Sequence, residues 1–301
     1  MTEASKSPNK QFVVGKAKLD INQRKSEFVP KELTYVLDKD NQDLAEKILK
    51  GAEKDLPVLL IGPTGCGKTS TVKYLAKETN NGYRRVQLNG SIGIDNFVGK
   101  YLLSNEGTYW VDGILTQAMR KGEWLLLDEL NAALPEILFI FHSIMDDDKT
   151  LILDEKDGEL VKPHPDFRIF AAINPCEDYS GTKELNRALM DRFPIVQEVD
   201  YPKPAHEIKI VEAHTDLENK KVGEREPVVK RMVQFANILR KHKVDQKMVF
   251  DCSTRQLIFW GKLIPDFGVK KAAQMALVNK ADTDERPKII DEMNKLFRND
   301  E

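Results

Sequence analysis

The sequence is short of cysteine, of net charge and of long apolar runs. Its three cysteines, Cys66, Cys176 and Cys252, are odd in number and far apart, with no Cys-x-x-Cys spacing. That excludes a disulfide framework or a zinc site of the usual spacing and points to a reducing compartment. Against 46 lysines and arginines stand 48 aspartates and glutamates, a formal net charge of −2. The two signs are mixed along the chain, so nothing announces a nucleic-acid groove or an anionic membrane. The most basic run, Arg240-Lys241-His242-Lys243, is short and reads as a solvated helix end. The longest apolar run, 137–141, is far too short to span a bilayer. The first ten residues are polar and lack a hydrophobic signal core. The expectation is a cytoplasmic protein with no membrane partner and no nucleic acid indicated.

What the chain does have is apolar content of 41%, enough for a sizeable core, and a length of 301 residues that suits one large domain or two modest ones. It also has Gly62-Pro63-Thr64-Gly65-Cys66-Gly67-Lys68-Thr69, which fits G-x-x-x-x-G-K-[ST]. An apolar strand reads over 57–61 before it, and a helix over 70–79 after it. A polyphosphate needs many donors at close range, and the glycines let successive backbone N–H groups curl around it. The helix that follows presents its positive end to the same anion. Lys68 can reach the outer phosphates and Thr69 can ligate Mg²⁺. The candidate nucleotide-binding residues are therefore Gly62, Pro63, Thr64, Gly65, Cys66, Gly67, Lys68, Thr69 and Ser70.

In chain order, 11–19 reads as a short strand and 40–52 as a helix. Strands follow at 84–88, 124–127, 168–173 and 195–199. Residues 92–112 read as a long irregular stretch, either a surface loop with buried anchors or an inserted working loop. Tyr109 and Trp110 there are candidates for contact with a partner, although burial is the commoner fate of such residues. A helix over 135–146 is expected to set Leu138, Phe141, His142 and Met145 on one side. Asp157-Gly158 between two apolar triplets signals a hairpin. After Tyr201-Pro202-Lys203-Pro204 only helices read, at 205–214, 226–242, 253–264, 269–281 and 286–297. Strands alternating with helices, then helices alone, give an α/β fold: a parallel sheet with an all-α C-terminal lid.

Strand 124–127 delivers Asp128 and Glu129 at its C-terminal end, where parallel sheets bind ligands. Asp128 suits Mg²⁺, and Glu129 suits a general base for the attacking water. Asn174 ends the next buried strand and either hydrogen-bonds that water or the γ-phosphate, or simply makes an Asn-Pro turn. Arg187 and Arg192 flank Ala188-Leu189-Met190-Asp191; either can set positive charge against a γ-phosphate or make a surface ion pair. Arg255 follows Ser253, a ready helix cap, near the start of a lid helix, where the plain reading is a surface arginine.

The order of these pieces resembles the AAA+ ATPases. GPTGCGKT, LLLDEL (125–130), AAINP (171–175) and ALMDRF (188–193) resemble Walker A, Walker B, sensor 1 and the arginine-finger motif. STRQL (253–257) resembles sensor 2. The runs 112–138 and 174–193, with the Asp-Gly hairpin, are similar to the MoxR and dynein/midasin-related branch, which includes CbbQ/NorQ-, gas-vesicle- and McrB-like relatives. The hairpin resembles the pre-sensor 1 insertion, and 92–112 the helix 2 insertion. The resemblance implies a P-loop NTPase core over 31–203, a helical lid over 204–301 and a flexible tail over 1–30. It implies Mg²⁺-dependent ATP hydrolysis with Glu129, Asn174, Arg192 and Arg255 catalytic, and Thr69 and Asp128 at the metal. It further implies a homo-oligomer, a hexameric ring in which Arg192 enters the neighbour's site, and a protein client such as a von Willebrand A-domain protein. The alternative is a nucleic-acid-linked motor or restriction-type NTPase.

Overall fold

The computed structural model describes residues 10–90, 92–146, 148–175, 185–217 and 226–298. Cys176 and the middle of the 174–193 run lie outside them. The chain divides into two compact units. The first comprises residues 10–33, 42–63 and 68–199 of those described; the second comprises Thr34–Asn41, Thr64–Gly67 and the chain from Asp200 on.

The first unit is built on five parallel strands: β3 (Val58–Ile61), β4 (Tyr83–Gln87), β7 (Trp124–Asp128), β10 (Arg168–Ile173) and β11 (Ile195–Glu198). Their order is β11-β3-β10-β7-β4. Strand β7 is buried at every position and β10 at all but its first, as a sheet covered on both faces demands. Helices α1 (Gln42–Glu53), α2 (Lys68–Glu78), α4 (Ile114–Lys121) and α5 (Pro135–Met145) belong to this unit. Helix α4 stops at Gly122, whose φ of 65° is left-handed; a Cβ there would lie 2.7 Å from Arg24 and from His164. Pro135 opens α5, where its missing N–H costs nothing. The face that α5 buries is Ile137, Phe141 and Ile144. This differs from the expected face, on which His142 and Met145 stood; they are only partly buried.

Three further expectations are corrected. The single strand at 11–19 is a hairpin, β1 (Gln11–Val14) paired antiparallel with β2 (Ala17–Asp20) around Gly15. From residue 10 onward the expected tail is therefore ordered, with the N–H of Lys18 donating to Glu53 on α1. The irregular stretch 92–112 holds a short helix α3 (Ile94–Phe97) and a second hairpin, β5 (Gly99–Ser104) with β6 (Gly107–Asp112). The expected Asp-Gly hairpin is present as β8 (Leu151–Leu153) and β9 (Glu159–Val161), with Asp157 and Gly158 both at positive φ. A four-residue helix, α6 (Arg187–Met190), is capped by the Asn186 side chain.

The second unit is helical: α7 (Pro204–Ala213), α8 (Val228–Val244), α9 (Thr254–Phe267), α10 (Val269–Ala276) and α11 (Arg286–Leu296). Its core includes Phe235, Trp260 and Phe297, whose rings meet edge to face. Arg240 is not the solvated helix end that its charge run suggests. Its guanidinium donates twice to the fully buried Glu207, at 2.8 and 2.7 Å, lies 3.9 Å over the Tyr201 ring, and donates to the Cys252 carbonyl. Thr254 completes the set by donating to Glu207 at 2.6 Å. A buried charge is tolerated when it is paired and hydrogen-bonded in this way. Cys252 is fully buried, and burial pushes its thiol far up, away from reactivity.

Segment Thr34–Asn41 is tied to α7. Asp38 accepts from Lys209 at 2.7 Å, faces the His206 ring at 3.0 Å and takes the Asp40 N–H at 2.9 Å. Burial raises its pKa, but these partners together outweigh burial and hold the carboxyl well below its ordinary value of 3.8. A depressed carboxyl contributes stability that is full above the ordinary value and is lost as pH falls below it. Asp38→Asn is therefore expected to cost about 1–2 kcal/mol at neutral pH. The gap between variant and native melting temperatures should close as pH drops below about 4. Melting curves at pH 7, 5, 4 and 3 check this; a gap that does not narrow refutes it.

Candidate nucleotide site

Strands β3, β7 and β10 run in one direction, so their C-terminal ends gather at one edge of the sheet. The register sets Ile61 beside Ile173, and Asp128 beside both Ala172 and Gln87. The residues that follow these strands, Gly62, Glu129 and Asn174, thus come together although they are far apart in sequence. The Gly62 N–H donates to the Ile173 carbonyl at 3.2 Å.

Helix α2 begins at Lys68, directly after the glycine loop. Lys68 is buried, and its ammonium donates to the carbonyls of Gly62 and Pro63, at 2.5 and 2.9 Å, and to Asn174 Oδ1 at 3.1 Å. The expected phosphate lysine and the expected sensor are thereby joined. Gly67 has φ of 108° with open space where a Cβ would stand, so only the torsion demands glycine there. Gly65 has φ of 78°, and an added Cβ would also come 2.9 Å from Ser253 and 3.4 Å from Arg255. Ser253 caps α9 in a reciprocal capping box with Gln256, which fixes Arg255 in the first turn of that helix. Arg255 and Ser70 are exposed, and Cys66 is buried.

Asp128 is buried, and its Oδ2 accepts from Thr69 Oγ1 at 3.4 Å. Two hard oxygen donors this close suit Mg²⁺, which usually takes one or two protein oxygens and fills its shell with phosphate and water. The same Oδ2 accepts from Arg85 through Nε at 2.8 Å and Nη2 at 2.5 Å. Glu129 has φ 58° and ψ 42°, the left-handed region that a residue with a side chain enters only at a cost. The turn aims its carboxylate along the sheet edge, where Oε2 accepts from Gln87 Nε2 at 3.1 Å. Buried Asn131 donates to the Asn174 carbonyl at 3.2 Å. Arg85, Gln87 and Asn131 were not singled out in the sequence. The only signal for the first two was their spacing in the strand Tyr83-Arg84-Arg85-Val86-Gln87, two residues apart and so on one face.

Arg192 belongs to the same unit but not to this cluster. It donates to Asp146 Oδ1 at 2.8 Å, to the His142 carbonyl at 3.3 Å and to the Ala188 carbonyl at 2.7 Å. Arg187, at the start of α6, is exposed.

The glycine torsions, the buried ammonium and the paired oxygens fit a nucleoside polyphosphate with a divalent cation. Comparison with known proteins supports the nucleotide. Residues 57–193 match the AAA domain of the dynein-related subfamily, and residues 207–298 match the CbbQ/NirQ/NorQ C-terminal family. The chain is 36% identical over 228 residues to protein CbbQ of Hydrogenophilus thermoluteolus, covering 74% of this chain and 80% of that one. A midasin of Dictyostelium discoideum is 40% identical over 148 residues, 49% of this chain but only 2% of the midasin. In fold, a RuvB variant of Thermotoga maritima aligns with a TM-score of 0.52 at 17% identity, covering 85% of this chain and 69% of that one. Among the described residues no helix is long and apolar enough to cross a membrane. Two matches in sequence order, one to the sheet region and one to the helices, fix the assignment: this chain is an ATPase of the CbbQ/NirQ/NorQ family, in the MoxR-like, dynein-related branch of the AAA+ proteins.

Proposed function

We propose that the protein is a cytoplasmic remodelling ATPase that works as a ring, with six subunits as the expected number, and acts on a protein client. Lys68 and the loop Gly62 to Ser70 hold the nucleotide phosphates. Thr69 and Asp128 would hold Mg²⁺, which would supply positive charge against the phosphates. Glu129 takes a proton from the attacking water, and Asn174, tied to Lys68 and steadied by Asn131, orients that water or the γ-phosphate. Arg192 serves the next subunit, and Arg255 reports on the phosphate from the helical lid.

The observation that carries the client reading is the β5–β6 hairpin. Its two strands pair Tyr101 with Trp110, Leu102 with Tyr109 and Leu103 with Thr108, so apolar side chains stand on both faces. Leu103 is 83% exposed and Tyr109 50%. Trp110 is half-buried, donating to Asp112 and meeting Tyr101 edge to face. The β8–β9 hairpin adds Ile152 and Leu160, at 52% and 63%. Exposed apolar side chains concentrated on projecting hairpins mark contact with another protein. A von Willebrand A-domain protein is the first client to test. With formal charge near zero, no comparable feature supports a nucleic-acid track.

The test uses Glu129→Gln with ATP as a trap. Proteins it retains from an extract should be lost when Leu103→Asp and Tyr109→Ser are added, while basal hydrolysis of the same double variant with native Glu129 stays within about twofold of native, as surface changes permit. Retention unchanged by the hairpin substitutions would refute the hairpin's role. Loss of basal hydrolysis in a folded variant would place the hairpin in the catalytic core.

A further inference from the structure

We propose that Arg85 competes with the divalent cation for Asp128, so that the metal enters together with the nucleotide rather than ahead of it. The inference rests on the reading of Thr69 and Asp128 as the cation site.

The contest is over one atom. Arg85 places both Nε and Nη2 on Asp128 Oδ2, the oxygen that also receives the Thr69 hydroxyl. A guanidinium and a dication cannot share that oxygen: they repel, and the fork covers the approach to it. A cation held through Oδ2 therefore requires Arg85 to turn away.

The sheet allows Arg85 to turn. Strand β4 is an edge strand, and its side chains alternate. Arg84 and Val86 are buried on one face, while Arg85 and Gln87 stand on the other, exposed. Arg84 is committed: it pairs with Glu123 and its guanidinium lies 3.8 Å over the Phe28 ring. Arg85 is not, since 44% of its side chain is exposed and its ion pair is to Asp128. It can leave into solvent without disturbing the core.

The chemistry then selects what displaces it. Hydrated Mg²⁺ gives up its waters reluctantly, so a lone cation gains little by evicting a guanidinium from one carboxylate oxygen. A cation already carried on a polyphosphate brings further contacts, since Lys68 and the glycine loop bind the phosphates at the same time. Arg85 thus sets how much Mg²⁺ is needed for nucleotide to engage Asp128. It acts through Asp128 and is a positioning residue.

The experiment is an equilibrium titration of fluorescent mant-ADP, first in EDTA and then at rising Mg²⁺, on the full-length native protein, Arg85→Gln and Arg85→Lys. Affinity in EDTA should be the same for all three within about twofold. The Mg²⁺ concentration at half-effect should fall about two- to fivefold in Arg85→Gln, the scale expected for a part-exposed ion pair. Arg85→Lys, a charge without the fork, should fall between. An Mg²⁺ requirement that is unchanged or raised in Arg85→Gln, in protein that melts as the native does, overturns the proposal, because Arg85 would then be holding Asp128 ready for the cation. If native protein shows mant-ADP binding that ignores Mg²⁺, the cation-site reading itself fails, and the native titration alone reveals that. Should Arg85→Gln not fold, Arg85→Lys carries the same comparison.

Discussion

Glu129→Gln is expected to keep nucleotide affinity and to lose turnover by about 10²–10⁴-fold, the usual contribution of a positioned general base. The carboxamide nearly matches the carboxylate in shape but cannot take a proton from water. Nothing else in the local structure should move. Glutamine tolerates the left-handed turn at φ 58° as well as glutamate does. Its amide oxygen can still accept from Gln87, which donates at 3.1 Å in the native protein. Calorimetry with Mg²⁺ and ATP should give an unchanged affinity, and single-turnover hydrolysis should give the fall. Hydrolysis near the native rate would mean that another group takes the proton.

Arg192→Ala is expected to bind ATP normally and to hydrolyse it about 10³-fold or more slowly, as loss of an arginine finger does. The side chain of Arg192 bonds to Asp146 just after α5, to His142 on α5 and to Ala188 on α6, and among the described residues it makes no hydrogen bond to the loop or to Asp128. The expectation is that its charge serves the site of the next subunit. Losing the Asp146 pair costs stability of only about 1 kcal/mol or less, because exposed pairs are weak. The decisive measurement mixes Arg192→Ala with Lys68→Ala. The first supplies an intact phosphate site, the second an intact arginine. Activity should return at mixed interfaces, and a merely structural defect in either variant would not be repaired this way. Mixed oligomers that form and stay inactive would place the finger within its own chain, or give Arg192 no finger role at all.

The sheet and the phosphate loop were legible because each has a local signature. Residues 57–61, 124–127 and 168–173 are apolar runs ended by Gly62, Asp128 and Asn174, and Asp157-Gly158 is a turn pair. What escaped the sequence depends on which strand lies beside which. Nothing local says that β4 borders β7, so Arg85 and Gln87 carried no visible partner although they hold both acids. The β5–β6 hairpin escaped for another reason. Tyr101, Leu102 and Leu103 are apolar in succession, and Tyr109 and Trp110 likewise, so the alternation that marks a half-buried strand is absent. Arg240 looked solvated because three other basic residues follow it, while Glu207, the acid that buries it, lies 33 positions away.

Four residues in the middle of the phosphate loop, Thr64–Gly67, group with the helical unit rather than with the sheet that flanks them. Their neighbours include Ser253 and Arg255. On a ribosome adding about 5–20 residues per second, the loop emerges on the order of ten seconds or more before those neighbours exist. The sheet can therefore close around β3 while the loop between β3 and α2 still lacks Ser253 and Arg255 beside it. The close approach of Gly65 to Ser253 and Arg255 is then among the last features the nascent chain acquires, and it comes with the synthesis of α9 rather than of the glycines themselves.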